Sequence, residues 1–232
     1  MDIILVPGFW LDASSWDDVT PPLTAAGHHV HPLTLPGLEA KDAPRAGIGL
    51  RQHIDAVVAA IDAVDRPVVL VGHSAGGAII YGAIDQRPNH VLRGIYVDSG
   101  PLGEGGVIND QLPADGNEIP LPAWDVFDAE DLVDLDDDVR QAFIRRAIPQ
   151  PLGVATDQQR LVDEGRFRVP ATVICCEFTS EQLQHWMDAG DPNVSELTHI
   201  HNVEYVDLPT GHWPQFTRPA DLSAAILAAV DR

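Results

Sequence analysis

A mostly parallel, doubly wound α/β sheet of about six strands is the fold class this sequence predicts, on three observations. Six short apolar runs recur along its 232 residues. Most are β-branched and bounded by Gly, Pro or Asp, as strands covered on both faces are. Segments of helical period lie between several of them, and strand–helix alternation implies crossover connections and a parallel sheet. With 45% hydrophobic residues the chain can bury a full core.

The first run is Ile3–Val6, "IILV". Ser15 to Ala26 then places Trp16, Val19 and Leu23 on one helical face, although Pro21 and Pro22 confine the regular helix. His29–Leu35 forms the second run, and Leu50 to Val64 puts Ile54, Val57, Val58 and Ile61 on a common face. Val68–Gly72 is the third strand, Ala75–Gln86 the helix after it, and Gly94–Val97 the fourth strand. The last two strands are Ala171–Cys176 and Val203–Leu208, and the helix Pro219–Val230 opens with proline in its first turn.

Between the fourth and fifth strands the rhythm breaks. Residues 101–169 offer no convincing strand, many prolines and the acidic tract "DAEDLVDLDDD". That tract lacks the glycine and closing glutamate of a calcium loop and reads as a solvated helix start. "VRQAFIRRAI" follows as an amphipathic helix, and "DQQRLVDEG" as a short one stopped by glycine. The expected organisation is a core of residues 1–100 and 170–232 carrying a helical lid, 101–169.

A net charge of −21 argues against nucleic acid and anionic membranes as partners. No apolar run approaches the roughly 18 residues of a membrane span. "MDIILVPG" carries no basic leader, so a soluble, cytoplasmic protein is expected. Cys175 and Cys176 are adjacent in an apolar strand and read as reduced, buried thiols. Nothing in the sequence specifies an oligomeric state.

The chemistry concentrates at "VVLVGHSAGGAII". "GHSAG" matches G-x-S-x-G between a strand and a helix, the context that makes it a nucleophile elbow. Glycines 72 and 76 relieve crowding in the tight turn and hold Ser74 at the helix N-terminus, where negative charge is favoured. A serine hydroxyl needs a base. His212, in "LPTGHWPQF" directly after the last strand, fits best. His28, His29 and His31 sit near an early strand, His53 and His90 in or after helices, and His199 and His201 in a polar loop.

These motifs resemble the α/β-hydrolase superfamily, and more narrowly its small, short-lidded branch of plant methyl esterases, hydroxynitrile lyases and bacterial relatives. The resemblance rests on "ILVPGFW…SSW", "AAGHHVHPLTLPGL", "VGHSAGG", "IPQPLG" and "GHWPQFTRPADL" and extends over essentially the whole chain. It implies an α/β-hydrolase sheet, Ser74 as nucleophile, His212 as general base, and an oxyanion hole made by the N–H groups of Ala75 and Phe9. The family usually reads His-Gly-X where this chain reads Pro7-Gly8-Phe9, a change that removes a side chain but keeps the N–H. Each donor would be worth about 3 kcal/mol in the transition state.

The acid is where the sequence departs from that pattern. Relatives place an aspartate after the strand matching "ATVICC"; here the chain reads Cys176, Glu177, Phe178. Asp98, ending the preceding strand, is the first choice of substitute and keeps the order Ser, Asp, His. Glu177 is the alternative, although neighbouring strand residues point to opposite faces and a shift of one position counts against it. A chain with no working acid is the third possibility. Trp10, Trp213 and Trp124 are expected to line a substrate pocket, with Trp16 and Trp186 in the core or packing helices. The leading reading is a serine hydrolase of small, largely neutral carboxylic esters or lactones. A lyase or cofactor-free oxygenase using the Ser–His pair, and a non-catalytic ligand-binding protein, are the alternatives. None of these calls for a metal or cofactor.

Overall fold

In a β-strand successive side chains face opposite sides of the sheet, and the central strands here spend both sides on burial. A computed structural model describes residues 1–232. In it β1 (Asp2–Val6), β2 (His29–Pro32), β3 (Val68–His73) and β4 (Val91–Val97) are followed by a short ribbon, β5 (Glu118–Ile119) with β6 (Gln150–Pro151), and then by β7 (Ala171–Cys175) and β8 (Val203–Asp207). The six longer strands form one sheet in the order β2-β1-β3-β4-β7-β8. Every neighbouring pair in it is parallel.

The helices are α1 (Thr20–Ala25), α2 (Leu50–Asp62), α3 (Ala75–Gln86), α4 (Asp137–Arg146), α5 (Leu152–Thr156), α6 (Ser180–Asp188), α7 (Pro214–Thr217) and α8 (Pro219–Val230). Ile3, Leu5, Val69, Val71, Ile95 and Val97 pack with Trp16, Leu23, Leu222 and Ile226 on one side of the sheet. Ile4, Val6, Val68, Leu70, Tyr96 and Val173 pack with α2 and α3 on the other. Covering both faces is what doubly wound means, and it explains the unbroken apolar runs. Leu222 and Ile226 are fully buried; each contributes about 2 kcal/mol through lost apolar surface. α3 is buried along nearly its whole length. Gly82 lets α2 come close, since a Cβ there would stand 2.5 Å from Ile54 Cδ1.

The segment between β4 and β7 adds no strand to the main sheet, but it does hold the β5–β6 ribbon, which the sequence did not predict. Asp136 caps α4 by accepting from Val139 N–H, and Asp137 and Asp138 occupy its first turn, so the end of the acidic tract is a helix start while residues 129–134 form turns before it. The helix expected at "DQQRLVDEG" is absent. Its N–H groups are taken by distant acceptors: Gln159 donates to the Gly106 carbonyl (2.7 Å), and Val162 and Asp163 donate to the Asp85 carboxylate (3.0 and 2.9 Å). Helix forms instead on either side, as α5 and as a 3-10 turn over Glu164–Arg168.

The segment is tied to the core through Trp10. Its indole N–H donates to the Ile119 carbonyl (3.1 Å), and its carbonyl accepts from Ile148 N–H (2.9 Å). Buried Arg45 adds a second tie, donating to the Pro149 carbonyl (2.7 Å) and pairing with Glu118 (2.9 Å). No helix is long and apolar enough to cross a membrane.

Candidate active site

Three of the four non-glycine residues with positive φ are Trp10 (65°), Ser74 (52°) and Asp98 (46°). They stand just beyond the C-terminal ends of β1, β3 and β4, three adjacent strands. Such backbone persists only where its surroundings hold it, and it gathers at functional sites. At Ser74 the restraint is visible. Its N–H donates to the Val97 carbonyl (3.1 Å), and its carbonyl accepts from Gly77 N–H (2.8 Å) and the Ser99 hydroxyl (2.6 Å). A Cβ on Gly72 would lie 2.4 Å from the Gly76 carbonyl oxygen, and one on Gly76 would lie 2.5 Å from that of Val6. The turn therefore admits only glycine at these places.

His212 reaches this serine from the loop after β8. Its Nε2 is 2.8 Å from Ser74 Oγ, and its Nδ1 is 2.7 Å from Asp98 Oδ2. The histidine backbone is clamped from two directions. Its N–H donates to the Asp131 carbonyl (2.9 Å), and its carbonyl accepts from His73 Nε2–H (2.6 Å). Gly211 makes the first contact possible, because a Cβ there would stand 2.3 Å from the Asp131 carbonyl oxygen. Burial, with the charge of His212 beside it, lowers the pKa of His73 to about 3 despite that hydrogen bond. His73 is thus neutral and protonated on Nε2, with Nδ1 left to accept from the Gln215 amide (3.2 Å).

Asp98 is a fully enclosed carboxylate. Oδ2 faces the imidazole while Oδ1 accepts the N–H groups of Cys176 (2.9 Å) and Glu177 (3.1 Å). Glu177 also comes to the same nitrogen, with Oε2 3.2 Å from His212 Nδ1. Burial alone would depress the histidine, but the hydrogen bonds and charges of Asp98 and Glu177 outweigh it and raise its pKa to about 10. Asp98, Glu177 and His212 also make up the one cluster whose donor atoms lie close enough to hold a metal ion, within 4.8 Å of one another. A cation there would have to displace the Nδ1 proton lying between the two carboxylates.

Ser74 and His212 open onto a cavity of about 500 Å³ whose walls are mainly apolar. Phe9 and Ala75 both line it. Phe9 N–H donates to no backbone carbonyl, and Ala75, as the first residue of α3, has no carbonyl one turn back to meet. Gly8 brings this loop against the serine, a Cβ there falling 2.9 Å from Ser74 Cβ. Two unspent N–H groups beside the hydroxyl are what an oxyanion site requires.

Of the expected pocket tryptophans, Trp10 lines the cavity and the other two do not. Trp213 is buried with its ring edge-on to His212, at 5.0 Å between centroids and 86°. Trp124 joins it in an aromatic cluster with Phe127 and Phe143. Aromatic stacking outweighs adjacency to His212 in deciding where these two rings point. Trp186, expected in packing, stands on α6 at the cavity wall beside Phe178, with centroids 5.6 Å apart. The sequence reading also missed Phe127, Phe178, Leu183, Val194 and Leu197 on the wall. The one available signal was position, because α6 follows the C-terminal end of a parallel strand, where such sheets bind ligands. No lysine or arginine lines the cavity.

The comparisons agree with this architecture. Methylesterase 8 of Arabidopsis thaliana is 26% identical, over 99% of this chain and 89% of its own. An extracellular α/β-hydrolase from a Paenibacillus species, described as sharing homology with tobacco salicylic acid binding protein 2, superposes with a TM-score of 0.76 at 22% identity, covering 99% and 98% of the two chains. An Arabidopsis methylesterase superposes with a TM-score of 0.77 at 19% identity, covering 100% and 99%. The family model described as "Alpha/beta hydrolase family" matches residues 3–225, nearly the entire sequence. This chain is an enzyme of the alpha/beta hydrolase family.

Proposed function

We propose that the protein is a serine hydrolase that cleaves small, uncharged carboxylic esters or lactones through an acyl-enzyme on Ser74. The observation that carries this reading is the unbroken line Asp98–His212–Ser74, at 2.7 and 2.8 Å, opening onto an apolar cavity.

In the first half-reaction Ser74 Oγ attacks the carbonyl carbon while His212 Nε2 takes its proton. The oxygen that gains charge is held by the N–H groups of Phe9 and Ala75. Asp98 keeps the Nδ1 proton in place and stabilises the imidazolium. Collapse of the intermediate expels the alcohol, which takes the proton from Nε2. In the second half-reaction water attacks the acyl carbon by the same route and frees the acid. Residues 101–169 act in this reading as the lid, with Leu102, Ile108, Leu112, Val126 and Phe127 roofing the cavity. An apolar wall without cations favours a neutral ester and disfavours a carboxylate or phosphate substrate. The name of the Arabidopsis relative, a methylesterase, supports ester chemistry.

Intact-mass labelling with a fluorophosphonate, alongside turnover of neutral p-nitrophenyl esters and lactones, tests the proposal. One adduct on the wild type and none on Ser74→Ala, with turnover lost in the variant, supports it. Turnover that survives in Ser74→Ala refutes the acyl-enzyme and favours use of the Ser–His pair without covalent chemistry. Tight ligand binding with no turnover above Ser74→Ala favours a binding protein.

A further inference from the structure

One hydrogen-bonded carboxylate suffices for the chemistry above, yet a second carboxylate stands within ion-pair distance of His212 Nδ1. Glu177 Oε2 lies 3.2 Å away, buried and with no hydrogen-bond partner, so charge alone ties it to the ring. The N–H of Glu177 donates to Asp98 Oδ1 (3.1 Å), so the two acids are locked together around one ring N–H. Asp131 approaches from the inserted segment. Its carbonyl accepts from His212 N–H (2.9 Å), its Oδ2 accepts from Asp128 N–H (2.9 Å), and its carboxyl faces Glu177.

The remaining ionisable groups nearby are otherwise engaged. Asp134 is taken by Arg218 (3.0 Å) and Thr210 (3.2 Å), Asp207 by Ser180 (2.8 Å to its hydroxyl), and buried His73 stays neutral. The thiols of Cys175 and Cys176 are buried and remain protonated, since burial and then the neighbouring carboxylates push both up. Neither His212 nor Asp131 has a lysine or arginine to offset the acids.

We propose that Glu177, faced by Asp131, is a positioning carboxylate that stands with Asp98 beside His212 Nδ1 and sets the pH above which the Ser74–His212 pair works. The physical argument is charge. A general base must be neutral, and each anion beside Nδ1 favours the imidazolium. Asp131 moderates this by holding its own proton until the pH approaches neutrality: burial raises it, the Glu177 carboxylate raises it further, and together they bring it to about 7. Below that point the Asp131–Glu177 pair holds one proton and presents a single charge. Above it the second charge appears and pulls harder on the histidine.

This inference rests on the hydrolase reading, so its test needs a readout besides turnover. Titration of the His212 ring by NMR in isotope-labelled full-length protein provides one, and the pH profile of kcat/KM for a neutral ester provides the other. In Glu177→Gln both should move to lower pH by about one unit or more, with kcat on the alkaline plateau within about fivefold of wild type. Turnover near neutral pH would then rise by up to about tenfold. Glu177→Asp, which withdraws the charge by one methylene, should fall between, and Asp131→Asn should move the same way by less. Superimposable titrations of wild type and Glu177→Gln would overturn the proposal. So would a plateau loss in Glu177→Gln as deep as that in Asp98→Asn, because Glu177 would then be the essential acid. If Ser74→Ala kept its turnover, the hydrolase reading would fail, while the ring titration would still judge Glu177.

Discussion

Replacing Asp98 by asparagine tests the acid most sharply, because the local geometry dictates how the amide must sit. The side chain is fully enclosed, and Oδ1 accepts two backbone N–H groups, from Cys176 at 2.9 Å and Glu177 at 3.1 Å. Only the carbonyl oxygen of the new amide can meet those donors, so its NH2 group must face His212 Nδ1. The imidazole then accepts at Nδ1 and carries its proton on Nε2, where Ser74 needs an acceptor. The equivalent change in chymotrypsin-like enzymes costs about 10⁴ in kcat. Here Glu177, 3.2 Å from Nδ1, can still hold the working tautomer in a fraction of molecules. The expected loss is therefore about 10²–10³, or roughly 3–4 kcal/mol in the barrier. Asp98→Asn/Glu177→Gln should lose about a further tenfold or more. Turnover of a saturating p-nitrophenyl ester on the alkaline plateau measures both, with thermal melts to confirm folding. A single variant within tenfold of wild type, or a double variant no slower than the single, would refute the reasoning.

Other consequences follow from the same geometry. Gly72→Ala puts a Cβ 2.4 Å from the Gly76 carbonyl oxygen, backbone against backbone. It should cost about 1–3 kcal/mol in urea unfolding and abolish fluorophosphonate labelling; a wild-type midpoint would contradict the crowding argument. Trp186→Ala should raise KM for aryl esters several-fold with little change in Tm, since the ring lies on the cavity wall and is partly exposed. Phe143→Ala, in the aromatic cluster, should instead lower stability by about 3–5 kcal/mol with KM nearly unchanged; the opposite pattern would reverse these roles. His53 is fully buried and donates to the Pro36 carbonyl (2.9 Å), and burial, outweighing that bond, lowers its pKa to about 4. The unfolded chain binds this proton near pH 6.5 and the folded one only near 4, so stability falls as pH drops through that window, by up to ~3 kcal/mol. His53→Gln should flatten that slope in unfolding free energy measured against pH, and parallel slopes would refute the assignment.

The sheet was legible because its strands are covered on both faces, which writes burial into contiguous letters. Ser74 was legible for a similarly local reason, a glycine-flanked turn between strand and helix, and His212 because its loop directly follows a strand. The acid was not local. Whether Asp98 or Glu177 meets His212 depends on β4 lying beside β7, with Val97 paired to Ile174, and nothing within either segment encodes that adjacency. The alternation argument against Glu177 also has no purchase, because β7 ends at Cys175 and Glu177 lies beyond the strand in a bend that returns its carboxylate towards the ring. Trp124 and Trp213 went astray for another reason. Their direction is set by aromatic partners that tertiary packing brings together, Phe127 and Phe143 above all, a meeting that the periodicity of neither segment encodes. Two carboxylates at one imidazole are thus a consequence of topology: adjacent parallel strands are each followed within two residues by an acid, and the histidine loop reaches both. A choice between two acids therefore follows only from single-residue readings, and the arrangement itself asks what each contributes.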